Sequence, residues 1–361
     1  MAIKILYLYT EMMGYNISVL ECLVKNHQAS VEVVHWTRNK LTPYTPSVSQ
    51  GITLRDRSAF STETLNDFAE RLKPDLVYVS GWQDKAYLRA CARLKSQGAK
   101  VVVGLDSQWT GSLRQQLGAQ LIRRSYKRRF YDYAWVPGPL QFEYAKRIGF
   151  KNKEIITNLL SGNSHLFAQA QQALIIEKIR QYPKQFLYVG RYADAKGVDI
   201  LADAYQIYRE KYGGNWSLTC IGNGPLFNVL SQKKGITVAD FASQTVLMQQ
   251  ACASGVFILP SRYEPWGVVV HEFATAGLPL LLSEHVGSRH QFLIDGLNGF
   301  TFYNNSAEDL ADSMHRISTL SDGDLRAMGT VSALLAGVQT PEVAAASFMS
   351  VYRDSSIKWL T

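Results

Sequence analysis

The sequence predicts an α/β fold of two doubly wound domains facing each other across a cleft. Three observations predict it. At 361 residues the chain is too long for a single compact core. Short apolar runs alternate with helical patterns through the first half, which specifies a parallel sheet covered on both faces. From Phe186 the same alternation begins again. In sheets of this kind ligands bind beyond the carboxyl ends of the strands.

In the first half, Ile3–Tyr9, Val31–Trp36, Leu76–Ser80, Val101–Leu105 and Tyr133–Pro137 read as strands. Glu63–Leu72, Lys85–Gln97 and Leu113–Tyr131 read as helices between them. The second half reads as strand Phe186–Val189, helix Val198–Tyr212, strand Trp216–Ile221 and helix Val246–Ala253. Strand Val256–Pro260, helix Val268–Ala276 and strand Leu278–Ser283 follow. Between the halves, Asn158–Lys184 is punctuated by Ser161-Gly162-Asn163 and Tyr182-Pro183, which marks the boundary. The domains are therefore placed at 1–163 and 164–340.

Composition narrows the function classes. A hydrophobic content of 47% with 19% charged residues is that of a globular chain. The four cysteines are scattered without metal-ligand spacing and read as reduced thiols. No stretch approaches the roughly 20 apolar residues of a membrane span, and the start is not a signal peptide, so a cytoplasmic location is expected. The formal charge of +8 calls for an anionic partner. No nucleic-acid-binding module accompanies it, so nucleic acid is not among the expected partners. Much of the excess sits in Leu113–Phe130, where six cations face no acid. This segment reads either as a solvated amphipathic face or as a peripheral dock on an anionic membrane surface.

Three segments of the second half place polar residues just after a strand. In Phe186–Gly197, Gly190 allows a tight turn, Arg191 follows it, and Lys196 comes five residues on. A planar fork and a mobile ammonium suit a diphosphate, although alone the pair also reads as ordinary loop cations. Ile221–Pro225 is a Gly-x-Gly turn at Gly222. In SRYEPWGVVVHE, Ser261–Glu272, Pro265 and Gly267 mark a helix start. The amides of Trp266, Gly267 and Val268 then form a ready phosphate site. Glu264 lies ahead of that start and Glu272 about one turn inside. A carboxylate accepts two hydroxyl hydrogen bonds at once and so grips vicinal diols: Glu272 a ribose, Glu264 a sugar. Each glutamate alone also reads as a capping or solvated helix acid.

Taken together and in order, these residues resemble the donor domain of retaining glycosyltransferases of family four, which have the GT-B fold of two Rossmann-like domains. The resemblance runs over roughly Phe186–Phe300. It rests on Gly190-Arg191, Lys196-Gly197, Gly222–Pro225, Pro260-Ser261, Glu264, Gly267, Glu272, Ala276-Gly277, Pro279, Asp295-Gly296 and Gly299. It implies that Arg191 and Lys196 bind the diphosphate of a nucleotide sugar, Glu264 the transferred sugar and Glu272 the ribose. It places Phe241 and Ala242, within Asp240–Ser243, beside the base. It also implies that the tail 341–361, helical over Pro341–Leu360, packs back on the first, acceptor-binding domain.

The first half matches less. Of the family's paired glycines after the first strand, Gly14 remains. Asp106 stands where many members have a histidine, and reads either as an acceptor-orienting group or as a cap of the following segment. Gly287-Ser288-Arg289-His290 departs from the family's Gly-Gly. By the resemblance the enzyme works by front-face displacement with no metal and no cofactor, the nucleotide-diphosphate sugar being a co-substrate. The acceptor expected is a glycan or lipid-linked hydroxyl in bacterial cell-surface polysaccharide or lipopolysaccharide biosynthesis. Asp322-Gly323-Asp324, the one Asp-x-Asp, reads as a turn or cap. A catalytically weak regulatory subunit that binds nucleotide sugar, and a nucleotide-sugar epimerase of the same fold, are the alternative readings.

Overall fold

A computed structural model of the chain describes residues 2–36 and 47–354. These form two units: the residues up to Ser161 together with those from Gln339, and Gly162–Val338.

The first unit is built on a parallel sheet of seven strands, β1 (Ile3–Tyr9), β2 (Ala29–His35), β3 (Ile52–Asp56), β4 (Leu76–Val79), β5 (Lys100–Gly104), β6 (Tyr133–Trp135) and β7 (Ile155–Ile156). Their order is β3-β2-β1-β4-β5-β6-β7. Ile5 of the central β1 pairs with Val31 of β2 and with Leu76 of β4. These strands are near-continuous Val/Ile/Leu/Tyr runs because helices cover both faces, and all four residues of β4 are buried. Tyr7 and Tyr78 stack with ring centroids 4.2 Å apart, and Tyr9 extends the stack. Phe348, on the helix Pro341–Asp354, stacks on Trp135 at 5.1 Å. Residues 355–360 of the expected tail helix lie outside the described residues.

The single helix expected over Leu113–Tyr131 is instead interrupted. Helix Leu113–Leu121 runs into a π-turn, Ile122–Tyr126, and then a last turn, Lys127–Phe130. Ser125 Oγ donates to the Leu121 carbonyl at 2.8 Å, and the Lys127 amide bonds back five residues to Ile122. A hydroxyl competing for an i−4 carbonyl favours such a widening.

The second unit holds six parallel strands, β8 (Gln185–Val189), β9 (Ser217–Ile221), β10 (Ile236–Ala239), β11 (Val256–Leu259), β12 (Leu280–Ser283) and β13 (Gly299–Phe302). Their order, β10-β9-β8-β11-β12-β13, repeats that of the first sheet. Leu187 of β8 pairs with Thr219 of β9 and Phe257 of β11. Helix Val268–Thr275 packs against helices Ser164–Arg180 and Asp322–Ala336, which explains why Val270–Thr275 are all buried. The stretch read as a boundary from its breakers therefore contains the 17-residue helix Ser164–Arg180. Its Ala, Gln, Leu and Glu residues are good helix formers, and Phe167 and Ala170 are its fully buried contacts. Among the described residues no helix is long and apolar enough to cross a membrane.

Candidate functional site

In the second unit the chain winds outward from β8 in both directions, to β9 on one side and β11 on the other. A crevice opens beyond the carboxyl ends of two strands at such a reversal. The loops leaving β8 and β11 are Gly190–Gly197 and Pro260–Gly267, which carry two of the three segments singled out in the sequence. They meet through an ion pair between Lys196 Nζ and Glu264 Oε2, whose side chains are 17% and 10% exposed. Ser261 Oγ donates to the same carboxylate oxygen at 3.4 Å. Glu264 is thus a buried, partnered carboxylate rather than a surface acid.

Arg262 fastens the two loops together. Its guanidinium donates to both Asp199 carboxylate oxygens at 2.7 and 2.5 Å, to the Asp194 carbonyl at 2.7 Å and to Asn305 Oδ1 at 2.7 Å. The Arg262 hydrogen bonds hold the Asp199 carboxyl below its ordinary range. The Tyr263 amide adds a bond to the Ala195 carbonyl at 3.2 Å. From the other side, the Glu264 amide donates to His285 and the Glu264 carbonyl accepts from Gly287. The altered Gly287-Ser288 pair is therefore a strap on the Glu264 loop, and the Ser288 amide continues it to the Trp266 carbonyl at 2.9 Å.

The helix carrying Glu272 begins after Gly267, whose φ of 92° suits glycine. A Cβ there would come within 3.0 Å of Glu264 Cγ, so the carboxylate side chain lies directly against the helix start. The first-turn amides have no acceptor inside the helix and give this end a partial positive charge. Trp266 is buried edge-on to Phe292, and its indole N–H has no partner among the described residues. Only its backbone borders the helix start. Val268 is half-buried.

Glu272 is 7% exposed, not solvated. Burial raises its carboxyl to about 7, against the opposing pull of Gln244 and the Asn163 backbone amide. Gln244 Nε2 donates to Glu272 Oε1 at 3.0 Å, and Asn163 Nδ2 donates to Gln244 Oε1 at 3.3 Å. Gln244 opens the helix that follows Asp240–Ser243, so the loop with half-buried Phe241 and Ala242 is tied to Glu272. The neighbouring His271 is fully buried, accepting at Nδ1 from the Gly162 amide at 2.8 Å and donating from Nε2 to Ala336 at 3.0 Å. It is stacked on Phe292 and anchors the helix.

Arg191 lies on the β8 exit with its side chain exposed, making no hydrogen bond or ion pair among the described residues. Gly222 serves the fold itself: a Cβ there would stand 1.9 Å from the Gly190 carbonyl oxygen, and one at Gly224 2.4 Å from that of Tyr192. The loops after β8 and β9 approach backbone to backbone, which accounts for the Gly-x-Gly without a ligand. The first unit carries the other two residues. Gly14 is buried in the first turn of helix Gly14–His27. Asp106 is exposed after β5, and its charge adds to the burial that pushes up the phenols of Tyr9, Tyr15 and Tyr78. Asp106 Oδ1 accepts from the Ser107 hydroxyl at 3.5 Å, and the helix further on is capped by Ser112, whose Oγ accepts from the Gln115 amide at 3.3 Å. Asp322 and Asp324 open helix Asp322–Ala336: Ser321 caps it from Asp324, and Asp322 pairs with Lys184 at 2.5 Å.

Residues 169–329 match the family described as glycosyl transferases group 1. The match lies wholly within the second unit and covers most of it. The chain is 28% identical over 147 residues to an alpha-D-kanosaminyltransferase of Streptomyces kanamyceticus, covering 39% of this chain and 37% of that protein. It is 32% identical over 130 residues to a glycogen synthase of Mycobacterium tuberculosis, covering 33% and 30%. The chain thus spans about a third of the length of the curated relatives it matches. Among solved structures, a glycosyltransferase from Rickettsia africae superposes with a TM-score of 0.74 at 12% identity, over 99% of both chains. Anabaena HepE in complex with UDP and glucose superposes with a TM-score of 0.72 at 14% identity, over 98% of this chain and 100% of that one. The fold is GT-B, with the Rossmann-like strand order in both units.

Arg262, Gln244, Asn163 and His271 went unread in the sequence. Arg262 stood inside the quoted motif, but its partners, Asp194 and Asp199, are more than sixty residues away. Only the fold brings them together.

Proposed function

We propose that the chain is a retaining glycosyltransferase of family four. It moves a sugar from a nucleotide-diphosphate sugar to a hydroxyl of a glycan or lipid-linked acceptor, in bacterial cell-surface polysaccharide or lipopolysaccharide assembly. The acceptor would be met at the cytoplasmic face of an anionic membrane. The observation that carries this reading is the buried Lys196–Glu264 pair, seated on the exits of the two strands that flank the sheet's switch point. The group 1 match and the UDP and glucose bound by Anabaena HepE support it.

In this reading Glu264 receives hydroxyls of the transferred sugar and Glu272 receives the ribose. The helix amides near Gly267 take the phosphates between them. As the bond to the anomeric carbon breaks, negative charge grows on the leaving diphosphate. Arg191 and Lys196 meet that charge, and the diphosphate in turn draws the proton from the incoming hydroxyl. Charge neutralised by two cations and oriented amides needs neither a metal nor a protein nucleophile. Arg262 keeps the two loops in register while the charge shifts.

Two measurements test the proposal. A panel of nucleotide sugars is screened for a rise in melting temperature, since a ligand at 100 times its Kd adds about 2.7 kcal/mol. Nucleoside diphosphate release is then followed with an acceptor extract, and the anomeric configuration of the product is read by NMR. No shift with any nucleotide sugar, together with no diphosphate release, would refute transfer. An inverted product would refute retention.

A further inference from the structure

The outward face of Leu113–Phe130 has no part in donor chemistry. Leu113, Leu117 and Leu121 are 77%, 70% and 57% exposed. Their spacing of four places them in a row along helix Leu113–Leu121, while Ala119, Ile122 and Phe130 are buried. Single exposed leucines are ordinary, but three on successive turns make a contiguous apolar strip. Cations flank the strip, and the segment holds no acid to neutralise them. Lys127 is taken by Glu154 at 2.6 Å, and Arg129 lies over the Phe130 ring. Arg114, Arg124 and Arg128 are exposed and make no hydrogen bond or ion pair among the described residues.

We propose that this face docks on an anionic lipid bilayer, the leucine row entering the interfacial layer while Arg114, Arg124 and Arg128 meet lipid phosphates. The charge chooses the occupant. A second copy would bring six cations against six, and a nucleic acid would use the cations but give the leucines nothing. An anionic bilayer accepts both at once. The docking does not depend on sugar transfer, so its failure leaves the donor reading standing.

The full chain is sedimented with vesicles of phosphatidylcholine alone and with vesicles that are one third phosphatidylglycerol, at low and high salt. Binding is expected only to the phosphatidylglycerol vesicles, weakened but not abolished by salt. Replacing the row together (Leu113→Ser, Leu117→Ser, Leu121→Ser) lowers binding at least about tenfold at either salt. Arg124→Glu with Arg128→Glu lowers it more than about 25-fold, each lost cation alone being worth roughly fivefold. All five side chains are exposed, so the melting temperatures stay at the parent value, and the charge pair tests the face should the serine variant melt early. Any of three results overturns the proposal: no binding at low salt, parent-like binding by both variants, or self-association in sedimentation velocity that the serine variant abolishes.

Discussion

Glu272→Gln offers a test of the site that needs no ligand. The Glu272 carboxyl rises from 4.5 to about 7, chiefly because burial disfavours its charge. At 1.36 kcal/mol per unit, that rise corresponds to about 3 kcal/mol. Below 4.5 the side chain is protonated folded and unfolded, and nothing is lost. Between 4.5 and 7 the unfolded chain ionises while the folded one holds its proton, so stability falls as pH rises. Above 7 the full penalty is present. Glutamine cannot ionise, so the variant gains on the parent by about 3 kcal/mol between pH 4.5 and 8. For a unit of this size that is about 6–12 °C in melting temperature. Losing the bond from the Asn163 amide shifts the variant by a constant, so the pH slope of the difference is the readout. Melting curves of both proteins from pH 4.5 to 8 supply it. A difference that stays flat across this range refutes the buried, proton-holding carboxyl. The same titration reaches ligand binding. If the ribose is held by the ionised form of Glu272, donor binding at pH 6 releases close to one proton and at pH 8 almost none. Calorimetry in two buffers of different ionisation enthalpy measures that release.

Four further substitutions separate chemistry from architecture. Arg191→Ala and Lys196→Ala should each cut turnover about 10²–10³-fold in a diphosphate-release assay. Exposed, unpartnered Arg191 leaves stability within about 0.5 kcal/mol, whereas Lys196→Ala strands Glu264 and costs about 1–3 kcal/mol in a urea melt. Full turnover in both variants would sink the diphosphate assignment. Gly222→Ala should destabilise by about 1–3 kcal/mol or more, because its Cβ would overlap the Gly190 carbonyl. A variant that melts like the parent but loses donor affinity would make Gly222 a ligand contact instead. Arg262→Ala should remove an acid sensitivity. Asp199 is held below its ordinary 3.8, so the pair stabilises above that pH and the gain is lost as pH falls through the depressed value. The exposed setting limits the effect to about 1 kcal/mol, and melts from pH 2 to 5 should show a smaller acid decline in the variant.

Strand–helix alternation made the two sheets legible because buried parallel strands are continuous apolar runs, as Leu76–Val79 and Val256–Leu259 are. Strands with mixed burial escaped: β3 and β10 lie at sheet edges, and the residues of β10 alternate between half-buried and exposed. Helix Ser164–Arg180 escaped because its glycine and proline flanks were read as a linker. In the site, Arg191, Lys196 and Glu264 were legible as charged residues in loops that follow strands, and Glu272 as an acid about one turn inside the next helix. The partnerships were not. Nothing in the spacing says that Lys196 binds Glu264, that Gln244 donates to Glu272, or that Arg262 reaches back to Asp199. These bonds join residues 28 to 68 positions apart and depend on which strands are neighbours. Nor does the Gly-x-Gly spacing show that the loop at Gly222 packs backbone to backbone against Gly190.

The ion pair at the centre of the site is itself an argument about how a donor would enter. A buried carboxylate is costly unless a cation or hydrogen bonds compensate it, and Glu264 has Lys196 and Ser261. Lys196, paired in this way, is held at the loop crossing instead of sampling solvent. In the proposed reading Arg191, exposed and unpartnered among the described residues, would supply the first attraction for a diphosphate, and Lys196 would need only a small swing to share its charge between carboxylate and phosphate. Charge compensation is then maintained through the whole exchange, which separated charges at the same depth would not allow. This explains why the loops are bound by Arg262, His285 and Gly287 on both sides: the exchange works only while the two loop ends stay within reach of each other.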